Sequence, residues 1–535
     1  MNWIKKLKLE QSIRDIQIDE RRGKDFCLDP LRFEDLSLKD VKSELIRHIE
    51  ESLDNNRYKT ESLIEIDVPK QNYILRPAAR PCLVDWVIYN AIVNYIGSVI
   101  YKNIPQNSFS FNRFRDKYKN KSKYKSIDYW LEFEDKAREL SESNKFSYML
   151  VTDITSFFEH ISLNIIGDRL KRLSNDSDYI SAVNYLINNM LNKWTENNKI
   201  KNFGLPQGPT ASTILADIYL YSLDKAMDKD KIKFIRYMDD FRIFAKNKNE
   251  LKKHMIVMVR ALRELKLNLN AKKTTIYKLD NKEELKKVFD PEKSRLSLID
   301  SAFRSAKKDQ ILLVAPYLIE LKKLAFLDSN FSERYLKFFI GRIIDLMRFN
   351  LIKKQYIKSL TLEFLDLFEE QHHLADLLCW FFVASSQYIR EIKKIIQKRL
   401  ITFICDRNKN IYEWQEMWAL DTVRQLGDIS RIDLNKLKKK IAKENPLCFS
   451  QFALILGSSG NNDDREEILE SKRIIADQYR ATILAIQELN QDVLNNANLQ
   501  YPPYYQNYLK ALRNKKYGFN YSLTHKDFDV ETSRY

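Results

Sequence analysis

Glycine is scarce in this chain: 10 of 535 residues, about 2% where an average protein carries about 7%. That shortage excludes a collagen-like chain. It also counts against propellers, β-helices and glycine-rich nucleotide folds, and it favours helices. Cysteine is sparse as well. Cys27, Cys82, Cys379, Cys405 and Cys448 are scattered without a CxxC pair, which excludes a zinc ribbon or finger. An odd number without pattern reads as free thiols in a reducing compartment. Long apolar runs are missing too. The longest, Leu374 to Ala384, is interrupted by Asp376 and is too short to cross a bilayer. The opening MNWIKKLKLEQSIRDIQIDE has no apolar stretch of the kind a signal peptide needs. These absences together lead us to expect a soluble, cytoplasmic protein with no membrane partner.

What is present is bulk and positive charge. A hydrophobic fraction of 44% excludes a largely disordered chain. The length suggests two to four domains at roughly 100–200 residues each. Lys plus Arg number 90 against 73 Asp plus Glu, a net charge of +17. Such a balance points to an anionic partner, most simply nucleic acid, the alternative being lysines spread over solvated helix faces.

The chain has two textures. Up to about residue 280, short runs of strand character alternate with helical stretches. FSYMLVTDI (146–154), KFIRYMDDFRIFA (233–245) and KTTIYKL (273–279) read as strands. Val84 to Ser98, Ser212 to Met227 and Leu251 to Leu265 read as helices, an α+β pattern. From about residue 298 strand signals nearly vanish. Apolar residues then recur at helical spacing in Ile311–Phe326, Tyr335–Met347, Leu374–Val383, Ile389–Ile404 and Ile468–Leu489, which suggests a helical array without a fixed repeat. The stretch from Tyr501 is rich in tyrosine.

Three acidic or turn-forming segments carry the chemistry. In IRYMDDFRIF (235–244) two adjacent aspartates sit between strand-like runs, as a plain hairpin turn would also place them. In VTDITSFFEHI (151–161), Asp153 ends a strand and is either a helix N-cap or a metal ligand. Between them, GLPQGPTASTILADIYL (204–220) holds a rigid turn that opens a helix. An acidic strand end, a loop leading into a helix and an acidic hairpin form a phosphoryl-transfer layout. Two carboxylate sites can hold two divalent ions about 3.5–4 Å apart. Mg²⁺ suits them, since it takes few protein carboxylates plus substrate phosphate oxygens.

At these residues the sequence resembles the reverse transcriptases. Asp153-Ile-Thr-Ser-Phe-Phe158, Leu205-Pro-Gln-Gly-Pro-Thr-Ala-Ser212 and Tyr237-Met-Asp-Asp240 resemble their three palm motifs, in order. LNLNAKKT (267–274) resembles the segment that follows the catalytic hairpin, and VPKQNYILRPAARPCLVDWVIYNAI (68–92) the fingers of bacterial members. The resemblance implies an α+β fold with fingers and palm at 61–297, after an N-terminal helical segment at 1–60. An all-α, repeat-like domain at 298–500 would replace the thumb, and 501–535 would be a tail. It implies Asp153, Ile154, Asp239 and Asp240 as metal-binding residues, with the three aspartates catalytic, and two Mg²⁺ ions with Mn²⁺ as the substitute. Phe158 matches the ring that excludes a 2′-hydroxyl, unless Phe157 beside it makes it a core residue. Gln207 matches the residue that touches the incoming nucleotide. Lys273 matches a lysine near the triphosphate, the alternative being a surface lysine. Lys70, Arg76 and Arg80 are candidates for gripping triphosphate from the fingers.

Other features refine the expectation. RFRDKYKNKSKYK (113–125) interleaves basic residues with rings, as a single-strand binder or a solvated loop would. No Cys/His endonuclease, retron triplet, RNase H acidic set or RxxxxH signature is visible. His372-His373 reads as a polar helix junction. A palm fused to a helical half looks like the abortive-infection and defence-associated reverse transcriptases of bacteria. That likeness implies dNTP substrates, a single-stranded DNA product attached to a protein tyrosine or copied from a noncoding RNA, and homo-oligomers. Tyr501, Tyr504, Tyr505, Tyr508, Tyr535, Tyr58 and Tyr73 are conceivable primers, and none is singled out. Two rivals stand: a templated enzyme of a mobile element, and an inactive RNA-binding scaffold.

Overall fold

The computed structural model describes residues 2–470, apart from 22–25, 30–32, 101–107, 110–125, 197–200, 282, 284, 286–287, 290–292, 328–332 and 442–444. The basic run at 113–125, most of 468–489 and the tyrosine-rich tail lie outside these residues. The described strands are β1 (Ile64–Pro69), β2 (Leu75–Arg80), β3 (Tyr148–Asp153), β4 (Lys233–Tyr237), β5 (Asp240–Ala245) and β6 (Thr275–Lys278). They form two antiparallel sheets, a β1-β2 hairpin and a four-stranded sheet of order β4-β5-β3-β6.

The chain divides into two compact units that interleave in sequence. The first comprises Met1–Ile16, Ile49–Leu63 and Leu83–Ser294 and holds the larger sheet. Its central helix, Leu83–Ile100, is apolar nearly all round and buried along most of its length, as such a sequence must be. It packs on helices Ser177–Tyr185 and Thr210–Tyr219, and Tyr89 and Ser212 share a buried hydroxyl–hydroxyl hydrogen bond of 3.0 Å. The sheet is covered on both faces, so its inner strands read as near-continuous apolar runs. Helix Ser126–Glu142 packs on β4, and helix Lys248–Glu264 packs on β5 and β3. Phe133, Met149, Ile235, Phe244 and Phe289 form a core cluster on one side. The expected single helix from Ser212 to Met227 is two, Thr210–Tyr219 and Tyr221–Lys229.

The second unit gathers Gln17–His48, Ile64–Cys82 and the described part of Arg295–Tyr535. Its C-terminal part is a succession of helices from Lys308–Leu327 to Asn462–Glu470, matching the strand-free texture of the sequence. The β1–β2 hairpin was expected with the palm but belongs to this unit. β1 packs against helix Glu413–Leu426, and β2 is anchored through Arg80 to the 27–33 segment. Pro69 and Pro77 hide the strand signal, since each removes a ladder donor; a two-stranded hairpin tolerates that loss. Among the described residues no helix is long and apolar enough to cross a membrane.

Candidate active site

The site is built at one end of the four-stranded sheet, within the first unit. Asp153 is the last residue of β3 and Asp240 the first of β5, and the two are directly paired across the ladder. The pleat therefore puts both carboxylates on one face, with Cβ atoms about 4.5–5.5 Å apart. Asp239 lies in the two-residue turn between β4 and β5, which Tyr237 and Asp240 close as a pair. Met238, the first turn residue, is 7% exposed and adopts φ 53°, a left-handed conformation that costs a non-glycine residue about 1–3 kcal/mol. Backbone bonds fix the turn to the end of β3: the Ile154 N–H donates to the Asp239 carbonyl at 3.3 Å.

The segment 267–274 closes the site from the other side. The Asn270 N–H donates to the Asp153 carbonyl at 2.9 Å, and the Thr155 N–H to the Asn268 carbonyl at 2.9 Å. Thr152 and Thr274 share a hydroxyl hydrogen bond of 2.7 Å. This clamp delivers Lys273, whose Nζ donates to Asp153 Oδ2 at 2.6 Å. The hydrogen bond to Asp153 holds the Lys273 ammonium above its usual pKa.

The loop at 204–209 joins the same end. Gly204 takes φ 97°, a conformation open to glycine, and its N–H donates to the Ile161 carbonyl at 2.9 Å. The Leu205 N–H donates to the Phe158 carbonyl at 3.0 Å, so the loop bearing Gln207 is tied to the turn bearing Phe158. Phe157 takes the buried position and Phe158 stays half-buried, their rings 5.6 Å apart. The structure thus brings Asp153, Ile154, Asp239, Asp240 and Lys273 together, and ties the loop bearing Gln207 to the turn bearing Phe158.

Lys70, Arg76 and Arg80 lie in the second unit. Arg80 is 4% exposed; its guanidinium donates to the Cys27 carbonyl and to Asp29 and faces the Phe33 ring at 5.4 Å. Arg80, expected to grip a triphosphate, is here engaged with Cys27 and Asp29. Arg76 is half-buried over Phe26, at 5.3 Å from the ring centre, and Lys70 is exposed before the turn of the hairpin. His372 and His373 stand at a helix junction, where His372 Nδ1 pairs with Gln415 Oε1 at 3.0 Å.

Burial and mutual repulsion perturb the carboxyls of Asp239 and Asp240. Burial, then the Asp240 charge, pushes the Asp239 carboxyl up to about 6. Burial also raises Asp240, against the pull of Arg242 two residues along β5. Asp153 Oδ1 is buried without a hydrogen-bond partner. Three carboxylates thus stand against Lys273 and Arg242, and the remaining negative charge and hard oxygen donors fit a divalent ion. Among the described residues no three His, Cys, Asp or Glu side chains are drawn close enough to hold an ion by themselves.

Sequence reasoning missed Arg242 and a buried trio, Asp217, Asp224 and Arg236. A charged residue inside an apolar strand, as in KFIRYMDD and DDFRIFA, was the available signal.

Comparison with known proteins agrees with this geometry. Residues 68–310 match the family model described as reverse transcriptase (RNA-dependent DNA polymerase). That match indicates an RNA-directed DNA polymerase domain over these residues, and the family implies nucleotide substrates with a nucleic-acid template and product. Reverse transcriptases generally use divalent metal ions, typically Mg²⁺. No curated protein matches the chain.

Proposed function

We propose that the protein extends a hydroxyl primer with dNTPs by two-metal catalysis at Asp153, Asp239 and Asp240, in the service of antiphage defence. The observation that carries the mechanism is the pairing of Asp153 with Asp240 across β3 and β5, beside Asp239 in the adjoining turn. Mg²⁺ bound to one or two of these carboxylates and to substrate phosphates would activate the attacking hydroxyl and neutralise the leaving pyrophosphate. In this reaction the primer oxygen forms a bond to the α-phosphorus and the bond to the β-phosphate oxygen breaks. The hydroxyl loses its proton, and pyrophosphate departs. Phe158 and Gln207, joined through the Leu205–Phe158 backbone bond, would hold the deoxyribose and base. Lys273 is within reach of Asp153, and on release from it would offer its ammonium to the triphosphate.

The defence role and protein priming rest on architecture: a reverse transcriptase segment followed by a long helical half, as in the defence-associated enzymes. A primed, RNA-templated reaction is the second reading, favoured by the family match itself. One experiment separates them. Purified protein is incubated with Mg²⁺ and labelled dNTPs, alone or with a DNA primer on an RNA template, and run on denaturing gels with and without protease. Label that moves with protein until protease is added supports self-priming. Extension of the added primer alone supports the templated reading. No incorporation in either arm would overturn the polymerase mechanism.

A further inference from the structure

Directly behind the acidic turn lies a buried ion cluster that no part of the proposed chemistry uses. Arg236 of β4 is 0% exposed, Asp224 0% and Asp217 3%. Arg236 Nε and Nη2 donate to the two oxygens of Asp224 at 2.8 and 2.6 Å, and Nη1 donates to Asp217 Oδ1 at 2.7 Å. Nη1 also reaches the Met238 carbonyl, at 3.4 Å. Ser108 Oγ donates to Asp217 Oδ1 at 2.8 Å, and the Phe109 N–H donates to the Arg236 carbonyl at 2.8 Å.

One buried guanidinium thus serves two buried carboxyl groups. Such a cluster is a poor device for stability, since well-packed apolar residues would serve as well or better. Its geometry offers another purpose. The planar fork fixes Arg236 in one orientation, and one of its arms ends on the backbone of the turn that carries Asp239. Asp217 sits on helix Thr210–Tyr219, which the nucleotide loop opens, and Asp224 on the next helix. The strained φ of Met238 needs surroundings that over-determine it.

We propose that Arg236, Asp217 and Asp224 are positioning residues that lock the Met238–Asp239 turn, and so the metal-binding carboxylates, in register with the loop at 204–209. The inference rests on Asp239 being a metal-binding residue. It assigns a role beyond the site to three residues that touch neither substrate nor ion.

The test is steady-state incorporation on a primed RNA homopolymer by Asp224→Asn, Arg236→Lys and Asp239→Asn, with exposed Asp228→Asn on the same helix as control. Each rate is divided by the folded fraction from near-ultraviolet circular dichroism. For Asp224→Asn and Arg236→Lys, kcat per folded molecule should fall about tenfold or more, because a displacement near 1 Å is costly in a preorganised site. KM for dNTP should stay within about threefold, because Phe158, Gln207 and Lys273 are untouched. Folded variants with unchanged kcat would overturn the proposal. If both fail to fold, Ser108→Ala removes the hydroxyl bond to Asp217; a several-fold loss in kcat supports the proposal and no loss overturns it. Incorporation that survives Asp239→Asn would instead sink the reading of the site, and this inference with it.

Discussion

Each unit buries one arginine completely between two aspartates, and the two clusters differ in what lies beyond them. In the helical unit, Arg342 is 0% exposed, donates to Asp345 and Asp300 at 2.7 Å each, and lies against the rings of Phe303 and Phe338. In the polymerase unit, Arg236 holds Asp217 and Asp224 in the same manner. Burial lifts the carboxyl pKa of Asp345 and of Asp224 alike, in spite of the neighbouring arginines. The chemistry is shared. Arg342 braces helix against helix, whereas Arg236 extends to the backbone of a strained turn bearing Asp239. A buried ion cluster therefore has no fixed meaning; its role is set by the backbone its spare donor reaches.

Substitutions can sharpen or break this contrast. The largest effect belongs to the residue that the Arg236 cluster is proposed to serve. Asp239→Ala should lower nucleotide incorporation by about a thousandfold or more, as loss of a central electrostatic group does, measured by primer extension. Near-normal activity would remove the reason for distinguishing the two clusters. Next come the arginines themselves. Arg236→Met takes the guanidinium from two buried aspartates and should cost about 3–5 kcal/mol in urea unfolding, and Arg342→Met less, because Asp345 keeps Arg348 and Asp300 keeps Arg304. Only Arg236→Met should also reduce kcat per folded molecule. Equal activity losses, or none, would make the two clusters equivalent.

Phe158 tests the other side of the palm. Phe158→Val should reduce the preference for dNTPs over rNTPs by about 10- to 100-fold, read from kcat/KM for matched nucleotides. The Arg342 variant should leave that ratio unchanged. The smallest effect concerns pH. Asp239 keeps its proton in the folded chain up to about pH 6, whereas the unfolded chain releases it near 4. Folding is therefore weakened as pH rises from about 4 through 6, and the penalty is complete above that window. Without added metal, Asp239→Asn should be about 1–3 kcal/mol more stable than the parent at pH 7.5, an advantage that fades towards pH 4. A pH-independent difference in melting would contradict the buried, repelled state of this carboxyl.

Much of the palm was legible in the sequence. β3, β4, β5 and β6 fall where short Val-, Ile-, Tyr- and Phe-rich runs stood, because the period of a strand and the burial of both faces leave a strong local signature. The aspartates stood out as an acidic strand end and an acidic hairpin, whereas Phe158, Gln207 and Lys273 were named through the resemblance to the reverse transcriptases. The β1–β2 hairpin was obscured by its prolines. The break near Leu220 was obscured because its flanks are apolar, so periodicity ran through it.

The sequence by itself determined the class of enzyme, the presence of an acidic strand end and an acidic hairpin, and the helical character of the second half. These depend on local pattern, in which residue type and spacing act within one or two elements. Only the tertiary structure decided which charges serve the site and which serve the scaffold. Arg80 is taken by Asp29, 51 residues away, and Arg236 by Asp217 and Asp224 on two separate helices. Lys273 meets Asp153 across 120 residues of chain. A charged side chain finds its partner by distance in space, through a Coulomb energy that burial strengthens, and no local period encodes that distance.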